Sequence, residues 1–295
     1  MIWYKLELKC SKEDSELIEQ ILIEYGSISI SLSSENNNDI LFEKSIGEIP
    51  LWDRIEISAL FQDKISLKSI YQVLDNCKFS HLVISSFKDK DWVKNFRNNL
   101  KVIKFENKLG IYPLDLVDEP IEELRQKVYM EPGLAFGSGS HETTSLCLDY
   151  LVNQNLLNKQ VIDYGCGSGI LAISALKLGA AHAYAIDIDS QAILVTKKNA
   201  KRNNVNNLIS AGLPEIFPEI KGDIVVANIL LGPIIDLKDK FLSIIKPKGK
   251  LVLTGFLSSQ IESIKKIYGE EFKLKTIKQK NNWALVEFSL RRDIN

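Results

Sequence analysis

A run of glycines after a short apolar segment is the part of the chain with the clearest chemical potential. Asp163 is followed at alternate positions by Gly165, Gly167 and Gly169. An apolar run with helical spacing then begins at Ile170. This order predicts a buried strand, a tight turn and a helix, the first unit of a nucleotide-binding α/β sheet. Glycine lets the turn approach a ligand closely, and the helix start offers unpaired N–H groups.

The spacing of the glycines separates two classes of ligand. The dinucleotide fingerprint is G-x-G-x-x-G, with pyrophosphate at the helix N-terminus. Ile170 stands where its third glycine would be, which disfavours an NAD dehydrogenase. The D-x-G-x-G-x-G form beginning at Asp163 resembles the first motif of class I methyltransferases, which use S-adenosylmethionine (SAM), a ligand without phosphate. An ordinary tight turn remains the alternative for the glycines taken alone.

A second acidic position favours a nucleoside ligand. Asp187 ends another short apolar segment and follows Asp163 by 24 residues. An acid that binds ribose hydroxyls typically stands about 20 residues further on. Ser190 is predicted to cap the next helix, which leaves Asp189 in the turn or the first helical turn. Two successive strand–helix units therefore predict a nucleoside-binding sheet with Asp187 at the ribose.

A glycine-rich segment at residues 130–145 precedes the first strand of this sheet. A capped surface loop is one interpretation of it. Small residues interleaved with Phe136 and His141 favour a substrate lid, to which Gly137 also belongs. His141 is among the residues predicted to cap the following helix, and Thr144 is expected to turn its hydroxyl to a ligand.

Asn228 ends a third apolar segment, where a parallel sheet presents ligand groups. Many amino-group methyltransferases have Asn or Asp here, often as N-P-P-Y. In this chain Ile-Leu-Leu follows Asn228, so the double proline that clamps planar amides is missing. We expect Asn228 and Thr144 to be the catalytic positioning residues, aligning the methionine part of the ligand and the reaction zone.

Together these segments resemble one family, the ribosomal protein L11 methyltransferases (PrmA), over essentially the whole chain. The matching stretches are Glu131–Thr144, Asp163–Ile173, Asp187–Asp189 and Ala227–Leu230. The resemblance implies that SAM is the cofactor and that the N-terminal domain recognises ribosomal protein L11, whose lysine ε-amines and α-amine are methylated. It implies SAM contacts at Thr144, Gly165, Asp187 and Asn228, and Gly167 of the same turn is expected to join them.

The pattern of elements predicts two domains. Residues 1–90 follow the order strand, helix, strand, strand, helix, strand, that of a small ferredoxin-like α+β domain. Residues 91–120 are predicted to form a linker helix and connecting strands that turn near Asn107. Residues 121–295 are predicted to form a Rossmann-like, seven-stranded α/β domain of the class I methyltransferase type.

Composition excludes several classes of protein. A net charge of −1 provides no basic field for a nucleic-acid partner. The four cysteines show no C-x-x-C spacing, so neither a metal site nor a disulfide framework is indicated. No apolar run is long enough for a membrane span, and the first residues lack the pattern of a signal peptide. A cytoplasmic monomer is expected.

The expected reaction is SN2 transfer of a methyl group from a sulfonium to a neutral amine, promoted by alignment and desolvation. Two alternatives stay open. One is a methyltransferase of another protein, a small-molecule amine or nucleic acid, although the missing N-P-P and the weak charge disfavour nucleic acid. The other is a non-enzymatic nucleotide-binding or assembly protein, which the presence of Asp187, Asn228 and the lid disfavours.

Overall fold

The computed structural model describes residues 2–34, 52–62, 65–88, 102–114, 124–130, 141–217 and 219–291. The chain divides into two compact units, Met1–Asn99 (unit 1) and Leu100–Asn295 (unit 2). The predicted linker helix and the predicted lid residues Phe136 and Gly137 lie outside the described residues. No helix in the described part is long and apolar enough to cross a bilayer.

The described residues of unit 1 form a four-stranded antiparallel sheet and two helices. Its elements are β1 (Ile2–Ser11), α1 (Lys12–Glu24), β2 (Ser29–Ser34), β3 (Arg54–Phe61), α2 (Leu67–Val73) and β4 (Phe79–Lys88). The strands lie in the order β2-β3-β1-β4, and every neighbouring pair is antiparallel. The described elements thus follow the strand–helix–strand–strand–helix–strand order that the sequence predicts.

Buried apolar residues alternate along β1, and they define the face of the sheet that packs against α1. Leu6 and Leu8 of β1 are fully buried, in one cluster with Ile18 and Leu22 of α1. Ser11 begins the helix, because its hydroxyl accepts the backbone N–H of Asp14 at 3.3 Å. Unit 1 therefore has a hydrophobic core of its own.

Unit 2 begins with a small three-stranded sheet. Its strands are β5 (Ile103–Phe105), β6 (Leu109–Pro113) and β7 (Gln126–Met130), in the order β5-β6-β7. The first pair is antiparallel and the second is parallel. The predicted strand pair that turns near Asn107 is confirmed.

A mixed sheet of seven described strands forms the centre of unit 2. The strands are β8 (Gln160–Tyr164), β9 (His182–Ile186), β10 (Ile209–Gly212), β11 (Gly222–Asn228), β12 (Ile245–Leu257), β13 (Phe272–Lys280) and β14 (Trp283–Leu290). The helices are α3 (Glu142–Leu151), α4 (Ile170–Lys177), α5 (Ser190–Arg202), α6 (Leu231–Asp236), α7 (Lys238–Ile244) and α8 (Ile261–Tyr268). The sheet order is β10-β9-β8-β11-β12-β14-β13, and only the pairs that include β14 are antiparallel.

The central strands are buried on both faces. Ile224 and Val226 of β11 belong to the cluster that contains α3 and α4. Val225 and Ala227 belong to the cluster on the other face, which contains α6, α7 and α8. A continuous apolar run is what a parallel strand covered by helices on both sides requires.

The strand order places a crevice at one edge of this sheet. From β8 the chain proceeds outward through β9 to β10, and it then returns to the opposite side of β8 as β11. The connections that leave β8 and β11 therefore diverge at the carboxyl ends of these strands. Ligands of open α/β sheets bind at such a switch point.

Candidate active site

A cavity of about 480 Å³ lies at this switch point. Its volume is within the range of about 300–1,000 Å³ that is usual for small-molecule sites. All of its lining residues belong to unit 2, and none of them is Lys or Arg. They are His141, Thr143, Tyr164, Gly165, Gly167, Asp187, Ile188, Asn228, Ile229, Leu230, Pro233, Leu237, Gly255 and Trp283. The fold thus brings together the predicted residues His141, Gly165, Gly167, Asp187 and Asn228.

The turn after β8 has the conformation for which glycine is suited. Gly165, Gly167 and Gly169 have φ values of 79°, 52° and 78°. The N–H of Gly165 donates to the carbonyl of Ile186 at 2.8 Å, which ties the turn to the end of β9. A Cβ atom on Gly165 would lie 2.2 Å from Cγ2 of Ile229. Backbone conformation and space together therefore require glycine at position 165.

Asp163 fastens the helix that follows this turn. The N-cap of α4 is Gly169, which has no side chain to accept a hydrogen bond. Instead Oδ2 of Asp163 accepts the N–H of Ala172 in the first turn of α4, at 3.0 Å. Asp163 is 1% exposed, and its Oδ1 has no hydrogen-bond partner in the described part of the chain. Burial raises the pKa of Asp163 to about 7, the charge of Asp187 adds to this shift, and the bond from Ala172 opposes it.

Asp187 lies at the tip of β9, as predicted, and its carboxylate is held on both sides. Oδ2 accepts the N–H of Gly167 at 2.8 Å, and Oδ1 accepts the N–H of Asp189 at 3.0 Å. The glycine turn and the acid are therefore one hydrogen-bonded unit that borders the cavity.

The prediction that Ser190 caps α5 is wrong. Asp189 is the N-cap, with an extended backbone, and its Oδ1 accepts the N–H of Gln191 at 2.8 Å. Ser190 is the first helical residue. A carboxylate one residue earlier reaches the free amide in the first turn, and Asp is as good a cap as Ser.

Asn228 and Thr144 come together from distant parts of the chain. Nδ2 of Asn228 donates to Oγ1 of Thr144 at 3.3 Å. Thr144 is only 2% exposed in the first turn of α3, and the hydroxyl neighbour that lines the cavity is Thr143. In this arrangement the Thr144 hydroxyl orients the Asn228 amide at the cavity wall.

His141 caps α3, as predicted, and carries an aromatic neighbour. Its Nδ1 accepts the N–H of Thr143 at 3.4 Å and lies 2.8 Å from the Thr143 hydroxyl. The imidazole packs edge-on against the indole of Trp283, with ring centroids 5.0 Å apart. Lys280 adds a hydrogen bond of 2.7 Å to the Ser145 hydroxyl in α3. The turn between β13 and β14 is thus fastened to the start of α3.

Sequence reasoning did not find Trp283 or the apolar rim of the cavity. Trp283 pairs with Leu257 of β12 at the start of β14, and nothing in its local sequence indicates a ligand site. Ile188 is 85% exposed and Leu230 is 55% exposed, although both line the cavity. The available signal was Ile188 itself, an apolar residue between two acids in a turn where no core requires it.

Comparison with known proteins connects this geometry to a family. The family model described as "Ribosomal protein L11 methyltransferase (PrmA)" matches residues 2–291. The chain belongs to the ribosomal protein L11 methyltransferase family. It is therefore a member of a family of methyltransferase enzymes.

Relatives within the L11 methyltransferase family cover nearly the whole chain. A ribosomal protein L11 methyltransferase of Psychrobacter cryohalolentis is 41% identical over 288 residues, covering 93% of this chain and 92% of the relative. One from Shewanella sp. (strain W3-18-1) is 40% identical over 290 residues, covering 96% and 98%. The crystal structure of a ribosomal protein L11 methylase from Lactobacillus delbrueckii subsp. bulgaricus is 28% identical, with a TM-score of 0.58 over 65% of this chain and 99% of that chain. Unit 2 accordingly has the α/β methyltransferase-like fold with a central mixed sheet.

Proposed function

We propose that this protein transfers methyl groups from SAM to ribosomal protein L11, on lysine ε-amines and the α-amine. The observation that carries the proposal is the cavity at the switch point, with Asp187 and Asn228 on its wall. It occurs in a chain that belongs to the L11 methyltransferase family. A cytoplasmic monomer that needs no direct nucleic-acid contact is part of the proposal.

The cavity residues fit SAM. The Asp187 carboxylate is an acceptor for ribose hydroxyls, and Ile188 and Leu230 offer apolar surface to an adenine ring. None of the described residues that line the cavity is Lys or Arg, so it suits a cationic sulfonium and does not suit a phosphate. Gly165 lines the cavity without a side chain, which leaves its backbone edge available to the ligand. Gly165 and Gly167 present this backbone edge.

SAM supplies a methyl group on a positively charged sulfur. The residues of this chain contribute alignment and exclusion of water. Thr144 holds the Asn228 amide in place, and we assign to this pair the positioning of the methionine part of SAM and of the acceptor amine. The packed rings of His141 and Trp283 form an aromatic wall, and we assign to it the exclusion of water from the acceptor.

The acceptor amine must lose its proton before it attacks. A lysine amine with a pKa of about 10.4 is deprotonated in roughly one molecule in a thousand at pH 7. Apolar surroundings lower the pKa of an amine, because they disfavour its charged form, and a neighbouring cation lowers it further. The largely apolar wall of the cavity therefore favours the reactive neutral amine.

Unit 1 is assigned to recognition of the protein substrate. Its sheet order, β2-β3-β1-β4, with α1 and α2 in the two crossovers, supports the assignment of a ferredoxin-like domain. The proposed organisation is a recognition domain at residues 1–90, a linker at 91–120 and the SAM-dependent domain at 121–295. The family resemblance supports this division of labour.

The experiment is intact-mass analysis of ribosomal protein L11 after incubation with the purified chain and SAM. We expect mass gains in whole methyl steps, which require SAM and which peptide mapping places on lysines and the N-terminus. At a SAM concentration near the Kd of the unaltered protein, Asp187→Ala should slow the gain by roughly tenfold or more, whereas the matched variant Asp189→Ala should retain the unaltered rate. If SAM binds and L11 gains no mass, the substrate is another protein or a small-molecule amine, and the proposal fails for L11.

A further inference from the structure

A second cavity lies at the other edge of the central sheet. Its volume is about 420 Å³. Its walls come from the turn between β5 and β6, the start of β7, the segment after α3 and the end of α4. Since these segments lead into the amino ends of β8 and β9, the cavity faces away from the switch point. We name it the basic cavity, lined by Lys108, Arg125, Gln126, Val152, Asn153, Gln154, Asn155, Lys177 and Leu178.

The composition of the basic cavity is the reverse of that of the active-site cavity. Of the described residues that line it, three are cations, four carry carboxamides and none is a carboxylate. Guanidinium and ammonium groups are the donors that proteins use for phosphate, and carboxamide N–H groups can complete such a site. The chemistry on these walls therefore fits an oxyanion.

The cations come from three separate elements. Lys108 is held in place, because its Nζ donates to the carbonyl of Val152 at 3.1 Å and lies 2.8 Å from Oε2 of Glu106. Arg125 precedes β7, and Lys177 is the last residue of α4. Neither Arg125 nor Lys177 forms an ion pair with a carboxylate of the described residues. Two cations on one cavity that have no carboxylate partner among the described residues attract an anion from solution.

Two helices end beside the basic cavity, and helix ends repel anions through their free carbonyl groups. For α3 this effect is offset by side chains. Nδ2 of Asn153 donates to the carbonyl of Asp149 at 2.9 Å, and Nε2 of Gln154 donates to that of Tyr150 at 3.4 Å. Oε1 of Gln154 in turn accepts the ammonium of Lys250 at 2.7 Å. These bonds offset the end of α3, Lys177 lies in the last turn of α4, and Glu106 pairs with Lys108. Arg125 and Lys177 therefore leave the described walls with a net positive charge.

We propose that the basic cavity binds the phosphate group of a small phosphorylated ligand. Arg125 and Lys177 contact the phosphate oxygens, and the carboxamides of Gln126 and Asn155, which do not bond to α3, orient the remainder of the ligand. Val152 and Leu178 supply the short apolar part of the wall. The site is separate from that of methyl transfer, since α3 and α4 each run from the active-site cavity to the basic cavity.

The test is calorimetric titration of the full-length protein at low ionic strength with uridine monophosphate, inorganic pyrophosphate and, as the uncharged probe, uridine. We expect one uridine monophosphate or pyrophosphate to bind per chain, and uridine not to bind. Arg125→Gln/Lys177→Gln should weaken this affinity by about tenfold or more, because it removes two charge-assisted hydrogen bonds. The matched control Lys201→Gln/Lys221→Gln, which removes the same charge from exposed positions, should change it by less than about twofold.

SAM affinity should be the same in all variants, which verifies that the chain is folded and separates this site from the active site. The proposal is overturned if the phosphate probes do not bind at millimolar concentration, or if uridine binds as well as its monophosphate. If the cavity variant and the control lost the same affinity for the phosphate probes, the binding would be due to non-specific charge, and the proposal would also be overturned. Binding of an RNA oligonucleotide without binding of the small phosphates would replace the proposed ligand by a polymer.

Discussion

Substitution of Gly165 by alanine should damage the turn after β8 in two separable ways. The backbone of Gly165 has φ of +79°, and an L-residue in the left-handed region costs about 1–2 kcal/mol. The new Cβ atom would also lie 2.2 Å from Cγ2 of Ile229, and relieving such overpacking typically costs about 1–3 kcal/mol. We therefore expect Gly165→Ala to lower the free energy of unfolding of unit 2 by about 2–5 kcal/mol.

The chain offers a control variant for each of the two energy costs, that of the backbone conformation and that of the steric clash. Gly179 also has a positive φ, +108°, but nothing lies within 4 Å of a Cβ atom placed there. Gly179→Ala should therefore show the backbone part alone. Ile229→Ala removes the atom that Gly165→Ala would strike. In the double variant Gly165→Ala/Ile229→Ala the steric cost should disappear. Its loss of stability should therefore be smaller than the sum of the two single losses by about 1–3 kcal/mol.

Denaturant titration followed by hydrogen exchange in β8 and β11 reports unit 2 separately from unit 1. Calorimetric titration with SAM should show weaker binding to Gly165→Ala, because the added methyl group displaces a wall of the cavity. The reasoning would be refuted if Gly165→Ala destabilised unit 2 no more than Gly179→Ala. It would also be refuted if Ile229→Ala gave no relief in the double variant, since the clash would then not exist.

Three further perturbations test the site. Asp187→Ala should weaken SAM binding by roughly tenfold or more in calorimetry. Asp189→Ala should leave SAM affinity unchanged and lower the free energy of unfolding by about 1 kcal/mol through loss of the α5 cap. Equal effects of the two variants on SAM affinity would contradict the assignment of Asp187. Thr144→Val should lower kcat for L11 methylation by roughly fivefold to tenfold, because the Asn228 amide loses its acceptor, and Thr144→Ser should restore it. Burial raises the pKa of Asp163 from 3.8 to about 7, so its contribution to stability is present below about pH 4 and is lost as the pH rises through 7. Unfolding titrations from pH 4 to pH 8 should therefore show a decline that is absent from Asp163→Asn, and parallel curves would disprove the shift.

Local sequence patterns were sufficient to predict a structural feature when a single segment contains all the residues that form it. The glycine turn after Asp163 was predicted because positive φ values, here 79°, 52° and 78° at alternate positions, are met at low cost by glycine. Asp187 was found because a fixed chain length separates the tips of adjacent parallel strands. Asn228 was found because it ends a run of residues buried on both faces.

Contacts between distant segments could not be predicted in this way. Asn228 and Thr144 are 84 residues apart, and their hydrogen bond depends on how α3 packs beside β11. Trp283 reaches the cavity because β14 pairs antiparallel with β12. The cap of α5 at Asp189 was missed for a smaller reason. Ser and Asp cap equally well, so only the backbone angle at which the chain enters the helix decides between neighbours.

The sequence by itself determined the class of fold, the glycine turn and the acid that borders the cavity, because backbone conformation and burial period are local properties. The tertiary structure decided which threonine reaches the cavity wall, which aromatic ring closes it and that Lys108, Arg125 and Lys177 converge on a second cavity. These features arise where separate elements pack together. Their distances depend on the whole sheet and its helices, and no single segment encodes them.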